Sequence, residues 1–278
     1  MFKKKKRNRN ICNPNEIKDS KHLINELIKL YVHGQKSAKL STFFPISPKF
    51  IIDTYSNVAL FPFQPGVNCS IQSNNSFASS SNMSLIDLEL SYSQGNRVFI
   101  SIINPGFIED LTERELMVRD RILSIASSII SSKMTNKEKA KIVHDYLIDT
   151  SEYDSDLVRY KHTTEDSYTP YGLLFNHKAV CQAYAETYML LMTVIGIECF
   201  IVTGKLLTSS GNASDNHAWN IIKINNKYGH VDVTSDNPYP KRLGYKANDF
   251  FYANDDFMDK THIWRIDKYP LCPNPNEL

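Results

Sequence analysis

Three residues in this chain have the types, order and local settings that nucleophilic catalysis requires: Cys181, His217 and Asp232. Cys181 lies in Ala179-Val180-Cys181-Gln182-Ala183-Tyr184-Ala185, where an apolar-periodic run begins. Tyr184 or Ala185, Tyr188, Met192 and Ile195 recur at helical spacing and Gly196 supplies a stop, so the pattern predicts a helix with the thiol at its head. A free thiol titrates near pH ~8.5 and is largely inert at neutral pH, whereas the positive end of a helix and a neighbouring imidazolium both favour the thiolate. His217 opens His217-Ala218-Trp219-Asn220-Ile221-Ile222-Lys223-Ile224, and Asp232 sits in His230-Val231-Asp232-Val233-Thr234. Both segments read as strands. A thiol at a helix start with an imidazole and a carboxylate on neighbouring strands is the layout of a cysteine nucleophile, its base and its orienting acid.

The two strands can be put in register on paper. If Asn225-Asn226 is a two-residue hairpin loop, Ile224 faces Lys227. Counting back then sets His217 opposite Thr234 and Trp219 opposite Asp232. Side chains alternate along a strand, so His217, Trp219, Asp232 and Thr234 share one face, with Asp232 a diagonal neighbour of His217. A slip of one residue would put acid and base on opposite faces.

Other residues are candidates for supporting roles. Gln182, beside the thiol, and the backbone N–H of Cys181 are candidate donors to an acyl oxygen as it becomes negative. Trp219 flanks His217 on the strand, as a shield from water, a substrate contact or, equally, a core-filling residue. His230 shares the face of Asp232 and reads as packing or the edge of a cleft. His144 and Asp145 are adjacent on a predicted helix, where neighbours point apart, so both read as structural. Cys181, His217 and Asp232 are also types that ligate zinc, but no fourth ligand stands in an obvious position and no metal is expected.

At these residues the chain resembles the transglutaminase-like superfamily, and within it the bacterial branch of papain-like cysteine enzymes. The resemblance is carried by Tyr171-Gly172-Leu173-Leu174, Val180 to Ala185, Gly196-Ile197, His217-Ala218-Trp219-Asn220 and Val231-Asp232-Val233-Thr234. Glu138-Lys139-Ala140, His144-Asp145-Tyr146-Leu147 and Tyr153-Asp154 resemble the segment before the core, and Phe250-Phe251 and His262-Ile263-Trp264 its closing segment. It covers roughly residues 110 to 265. The chain departs from the family at Ala179 and Ala183, where glycine is usual, and at Tyr228, Gly229 and Ser235, where aromatic residues are common. The resemblance implies an α+β fold of papain-like type, with helices packed on an antiparallel sheet. It also implies Cys181 as nucleophile, His217 as general base and acid, and Asp232 as orienting carboxylate.

That triad performs acyl transfer on amide bonds through a thioester, with a protein or peptide as substrate. Water as second nucleophile makes a peptidase or amidase, the favoured outcome. An amine makes a protein-glutamine transglutaminase with the same triad. The competing class is a non-catalytic peptide-binding or scaffold module that keeps the cleft without turnover. No organic cofactor is implied.

The rest of the chain must build and hold this site. Its 278 residues suffice for one large domain or a domain with a smaller companion. Five cysteines at irregular spacing give neither a disulfide framework nor a CxxC zinc pattern. Lys3, Lys4, Lys5, Lys6, Arg7 and Arg9 form a basic run, leaving 26 basic against 30 acidic residues elsewhere. Residues 1–20 read as a disordered basic tail, for which contact with a membrane surface is the less favoured role. No secretory signal or membrane-spanning run follows, which points to the cytoplasm, and no nucleic-acid motif is present. Residues 21–107 read as an accessory region and 108–278 as the catalytic domain. In the former, a helix is expected around Leu23 to Tyr31, strands at Phe50 to Tyr55, Ser84 to Tyr92 and Arg97 to Ile103, a loop at Asn68 to Asn82, and a hairpin turn at Gln94-Gly95-Asn96. Capping boxes at Thr112-Glu113-Arg114-Glu115 and Thr135-Asn136-Lys137-Glu138 announce two helices in the latter.

Overall fold

A computed structural model of the chain describes residues 15–43, 46–57, 66–74, 83–156, 160, 162–207, 213–237 and 247–273. The basic run at Lys3 to Arg9 lies outside the described residues. Two units, divided between Ser91 and Tyr92, make up the rest.

The first unit contains β1 (Asn15–Ile17), α1 (Ser20–Val32), β2 (Ser37–Thr42), α2 (Pro48–Asn57), β3 (Gly66–Asn74) and β4 (Met83–Ser91). Its sheet runs in the order β1-β2-β4-β3, with β1 parallel to β2 and the other pairs antiparallel. Helix α1 forms where expected: Asp19 caps it by accepting the His22 N–H at 2.7 Å, and Leu23, Leu27 and Tyr31 are buried. Three expectations are corrected. Residues 15–17, inside the segment read as a disordered tail, form β1. Residues 68–74, read as loop, belong to β3, which pairs along its length with β4. Phe50 to Tyr55, read as a strand, lies in α2, because the Ser47 Oγ accepts the Phe50 N–H at 3.1 Å and Pro48 occupies the first helical position.

The second unit opens with α3 (Gln94–Ile103), α4 (Glu113–Ile129) and α5 (Asn136–Thr150). The hairpin and strand expected over Gln94 to Ile103 are therefore wrong. Ser93 accepts the Asn96 N–H at 3.2 Å and starts a helix, and the run Val98-Phe99-Ile100, apolar enough for either element, is buried as one. The two capping boxes close as expected: Thr112 N–H donates to Glu115 Oε2 at 2.7 Å and Thr135 N–H to Glu138 Oε2 at 2.7 Å.

A short parallel pair, β5 (Glu152–Tyr153) and β6 (Lys178–Ala179), leads into α6 (Cys181–Val194). Helix α6 ends as Gly196 allows: at φ +76° its N–H reaches the Thr193 carbonyl, and the Ile197 N–H reaches that of Met192 at 2.9 Å. Every residue from Ala183 to Met192 is buried, because α3, α4 and α5 pack on one side of α6 and the sheet on the other.

That sheet is antiparallel throughout, in the order β10-β9-β8-β7-β11, from β7 (Cys199–Leu207), β8 (Ala213–Ile224), β9 (Lys227–Val231), β10 (Phe251–Ala253) and β11 (His262–Trp264). Asn225 and Asn226 adopt left-handed φ values of 50° and 65°, the two-residue turn predicted, and Ile224 pairs with Lys227. Helices on one face of an antiparallel sheet make the fold α+β.

Gly204 on β7 sets how closely β11 approaches. A Cβ there would collide with the Ile263 carbonyl oxygen and come within 2.8 Å of the Trp219 ring. Gly204→Ala should therefore overpack this corner by about 1–3 kcal/mol, lowering the thermal midpoint by roughly 2–10 °C. A midpoint unchanged within about 1 °C in a calorimetric scan would show that β11 is free to move away.

Candidate active site

The thiol, the imidazole and the carboxylate come from three elements meeting at one end of the sheet. Cys181 is the first residue of α6 and is partly exposed. The Ala183 and Tyr184 N–H groups already donate to the Val180 carbonyl, which leaves those of Cys181 and Gln182 without an acceptor in the described chain. Such open N–H groups at a helix start face anions well. His217 projects from β8, nearly buried, and its Nε2 lies 2.7 Å from Asp232 Oδ2. That leaves Nδ1 as the ring nitrogen not engaged by Asp232, and the Cys181 side chain lies near enough to the imidazole to raise its proton affinity.

Asp232 is reached by the predicted register, with one correction. The ladder holds to Asn220 opposite Val231, after which the chain leaves the strand. Asp232 instead caps the single turn α7 (Val233–Asp236), so Thr234 does not sit across from His217. The departure follows from the donors available: Thr234 N–H, Thr234 Oγ and Ser235 N–H all reach Asp232 Oδ1, at 3.0, 2.6 and 3.1 Å. On the other oxygen, Oδ2, the Ser235 hydroxyl donates at 2.5 Å and a second imidazole, His262 Nε2, lies at 3.0 Å. Burial alone would push this carboxyl up, but His217 and His262 outweigh it and hold it well below the usual carboxylate range. For His217 burial disfavours the charge, yet Asp232 and Cys181 together raise the imidazole well above its ordinary value.

Trp219 is fully buried, so it does not present a surface to substrate. Its ring stacks on His217 at a centroid distance of 5.8 Å, and its N–H donates to His230 Nδ1 at 2.9 Å. His230 in turn contacts Asp255 at 2.9 Å and is a packing residue beneath the site. Gln182 is exposed, but its amide donates to Glu186 at 3.1 Å. Burial pushes that Glu186 carboxyl up to about 7. His144 and Asp145 do meet, at 2.9 Å, because the imidazole Nδ1 bends back to its neighbour while Nε2 binds Asp236 at 3.0 Å. Asp236 ends the turn that Asp232 begins, so the pair anchors that turn to α5.

His262, Ser235 and Tyr153 were not picked out as site residues from sequence. His262 stands 30 positions from Asp232 on an edge strand, with no local pattern to link them. Tyr153 pairs with Ala179 across β5 and β6. Burial raises its phenol above the usual range and the charges of Cys181 and Asp232 raise it further, which puts it within their field.

Two sets of described residues bring three ligand-type atoms within 4.8 Å: His217, Asp232 and His262, and His230, Asp255 and Cys272. Cys181 is in neither, so Cys181, His217 and Asp232 do not bring three ligand atoms within 4.8 Å of one another. In the second set the donor-only indole of Trp219 forces the His230 proton onto Nε2, so a cation there would drive that proton against the indole N–H. In the first set both Nε2 atoms already face Asp232 Oδ2.

The family comparison falls on the same segment. Residues 123–233 match the model of the transglutaminase-like superfamily. They form a transglutaminase-like domain. The match contains Cys181, His217 and Asp232 and stops before His262. Solved structures similar to the chain include a TGase at 12% identity and TM-score 0.40, covering 89% of this chain and 63% of its own. A candidate cysteine protease from Cytophaga hutchinsonii follows at 14% and 0.35, covering 66% and 68%. An arylamine N-acetyltransferase from Bacillus cereus with a Cys-His-Glu triad aligns at 13% and 0.33, covering 44% and 49%. The chain thus spans less than two thirds of the TGase it matches. No curated protein matches the chain. Among the described residues no helix is long and apolar enough to cross a membrane.

The electrostatics of this transglutaminase-like domain fix the sign of its pH dependence. His217 and His144 have raised values, so the folded chain keeps protons that a free imidazole, at 6.5, has released. Stability from these groups is fully present below 6.5 and is lost as pH rises through the folded values. Glu186, whose proton the unfolded chain releases first, acts in the same direction, while His230, with a lowered value, is neutral in both states above 6.5. The urea midpoint should accordingly fall from about pH 6.5 to 9, by up to ~1.4 kcal/mol per pH unit for each retained proton. A flat or rising limb in urea titrations would contradict a protonated His217.

Proposed function

We propose that the chain is a cysteine-dependent acyl-transfer enzyme acting on amide bonds of a protein or peptide, with hydrolysis the favoured outcome. It is the bond of His217 Nε2 to Asp232 at 2.7 Å, with the Cys181 side chain near enough to raise the same imidazole, that supports this most directly. In this mechanism the Cys181 thiolate adds to the carbonyl carbon, a C–S bond forms, and the carbonyl oxygen takes the displaced electron pair. The open N–H groups of Cys181 and Gln182 face that oxygen. Collapse of the tetrahedral intermediate breaks the C–N bond, and the proton on His217 goes to the departing amine. Water then attacks the thioester while His217 takes its proton; the C–S bond breaks and the acid leaves. Asp232 acts only by holding the imidazole, because six donors keep its own proton affinity low. An amine entering in place of water would give transamidation by the same steps.

Ser235, where the sequence departs from its relatives, works for the site: its N–H and hydroxyl both bind Asp232. This favours an active triad over a binding module.

Incubation with p-nitrophenyl acetate and intact-mass detection of acetyl-Cys181 tests the nucleophile. Cys181→Ala should abolish the adduct with stability within about 1–2 kcal/mol of wild type. His217→Ala should slow alkylation of Cys181 by iodoacetamide near pH 6, with Cys69, Cys199 and Cys272 as internal controls. Asp232→Asn should cut turnover by about 10³–10⁴-fold with little change in KM. Acetylation spread over several thiols, or unaffected by the loss of His217, would remove the enzymatic assignment. Release of the acetyl group to water or to added lysine separates hydrolysis from transamidation.

A further inference from the structure

Asp232 serves two imidazoles. His262, on β11, pairs with Leu206 of β7 and is fully buried. Its Nε2 is 3.0 Å from the same oxygen that His217 contacts at 2.7 Å. Its ring is clamped: Trp219 meets it edge-on at 4.9 Å, Phe250 lies at 5.5 Å, and the His217 ring at 5.5 Å. The tautomer is determined as well. A carboxylate only accepts, so Nε2 carries the proton, and Nδ1 therefore accepts from the Thr261 hydroxyl at 2.8 Å.

We propose that His262 is a positioning residue of the acyl-transfer site: its Nε2–H fixes Asp232 Oδ2 in line with His217 and keeps the transferable proton on His217. The geometry gives a reason for each part. Thr234 and the Ser235 backbone secure Oδ1, but Oδ2 has only the Ser235 hydroxyl besides the two imidazoles. A hydroxyl rotates about its C–O bond, whereas a clamped ring does not. A second N–H on Oδ2 also withdraws charge from the lone pairs that would otherwise compete for the His217 proton. The close approach of β11 that Gly204 permits thereby becomes part of the site, since it delivers His262 across β7 to the acid.

The inference rests on the reading of Cys181, His217 and Asp232 as a triad, and two variants separate the two ideas. His262→Leu removes the donor and keeps an apolar side chain in the space, while His262→Gln returns an N–H. The probes are site-resolved alkylation of Cys181 by iodoacetamide near pH 6 and the downfield imidazole N–H proton resonances. His262→Leu should slow alkylation by about 10- to 100-fold, the cost of a small misplacement, and broaden the His217 Nε2–H signal. His262→Gln should recover most of the rate and the signal. Equal slowing in both variants, in proportion to a fall in thermal midpoint, would mean that His262 only packs, and would overturn the proposal. So would a wild-type rate in His262→Leu when His217→Ala is slow. If wild-type Cys181 reacts no faster than the other thiols, the triad itself fails, and the role of His262 with it.

Discussion

A buried carboxylate must be matched by donors, and Asp232, almost wholly out of contact with water, accepts from six groups. Those donors come from β8, from the turn α7 and from β11, so three separate stretches of chain must arrive together for the charge to be tolerated. Other features of this unit follow from that meeting. The hairpin turn at Asn225-Asn226 sets the register in which β9 ends opposite Asn220, so that Asp232, the next residue, reaches His217. The α7 turn bends the chain back over the acid and is tied to α5 by Asp236 and His144. Gly204 lets β11 lie close enough for His262 to reach across. A loss at any of these points leaves a charge without its partners.

The Cys181 thiol is positioned by a different kind of force. Helix α6 makes no polar cap at its start; Val180 occupies the cap position without a side-chain hydrogen bond. What holds it is burial on all sides from Ala183 to Met192. Only its two ends reach the surface, so the thiol at its first residue sits at the rim of a packed cylinder with little freedom to shift. The carboxyl group inside that cylinder, Glu186, is bonded to Gln182 and Ser93, and in this way joins the start of α3 to the base of the site.

How much of this was legible in the sequence depended on whether the signal was local. The Asn-Asn turn, two capping boxes, the stop at Gly196 and the period-two face of β8 are short-range patterns, and each one placed its residues correctly. The same logic applied too loosely misread α2 and α3, where brief apolar runs suit either element and the deciding Ser47-Pro48 and Ser93 caps were passed over. Trp219 was placed correctly on its strand, but whether it shields His217, fills the core or meets substrate was left open, because face alone does not tell depth; it is buried. His144 and Asp145 were dismissed on Cβ directions that hold for straight side chains but not for a ring nitrogen that folds back. His262 was legible only as part of a closing segment and not as a neighbour of the acid: its link to Asp232 exists only once β11 has joined the far edge of the sheet.

Base, acid and second imidazole are buried while the thiol remains partly exposed, and this asymmetry bears on the reaction proposed. With water excluded from behind His217, its attraction to Asp232 is weakly screened and the proton it holds can leave only towards the thiol side. Whatever attacks the thioester must enter by that same side. The triad therefore treats water and an amine alike, and the choice between them falls to groups around Cys181. The open N–H groups of α6, the Gln182 amide turned towards Glu186, and Tyr153 within the field of the thiol are the parts of the described chain so placed. Selectivity in such a site would arise at its rim, and chemistry in its core.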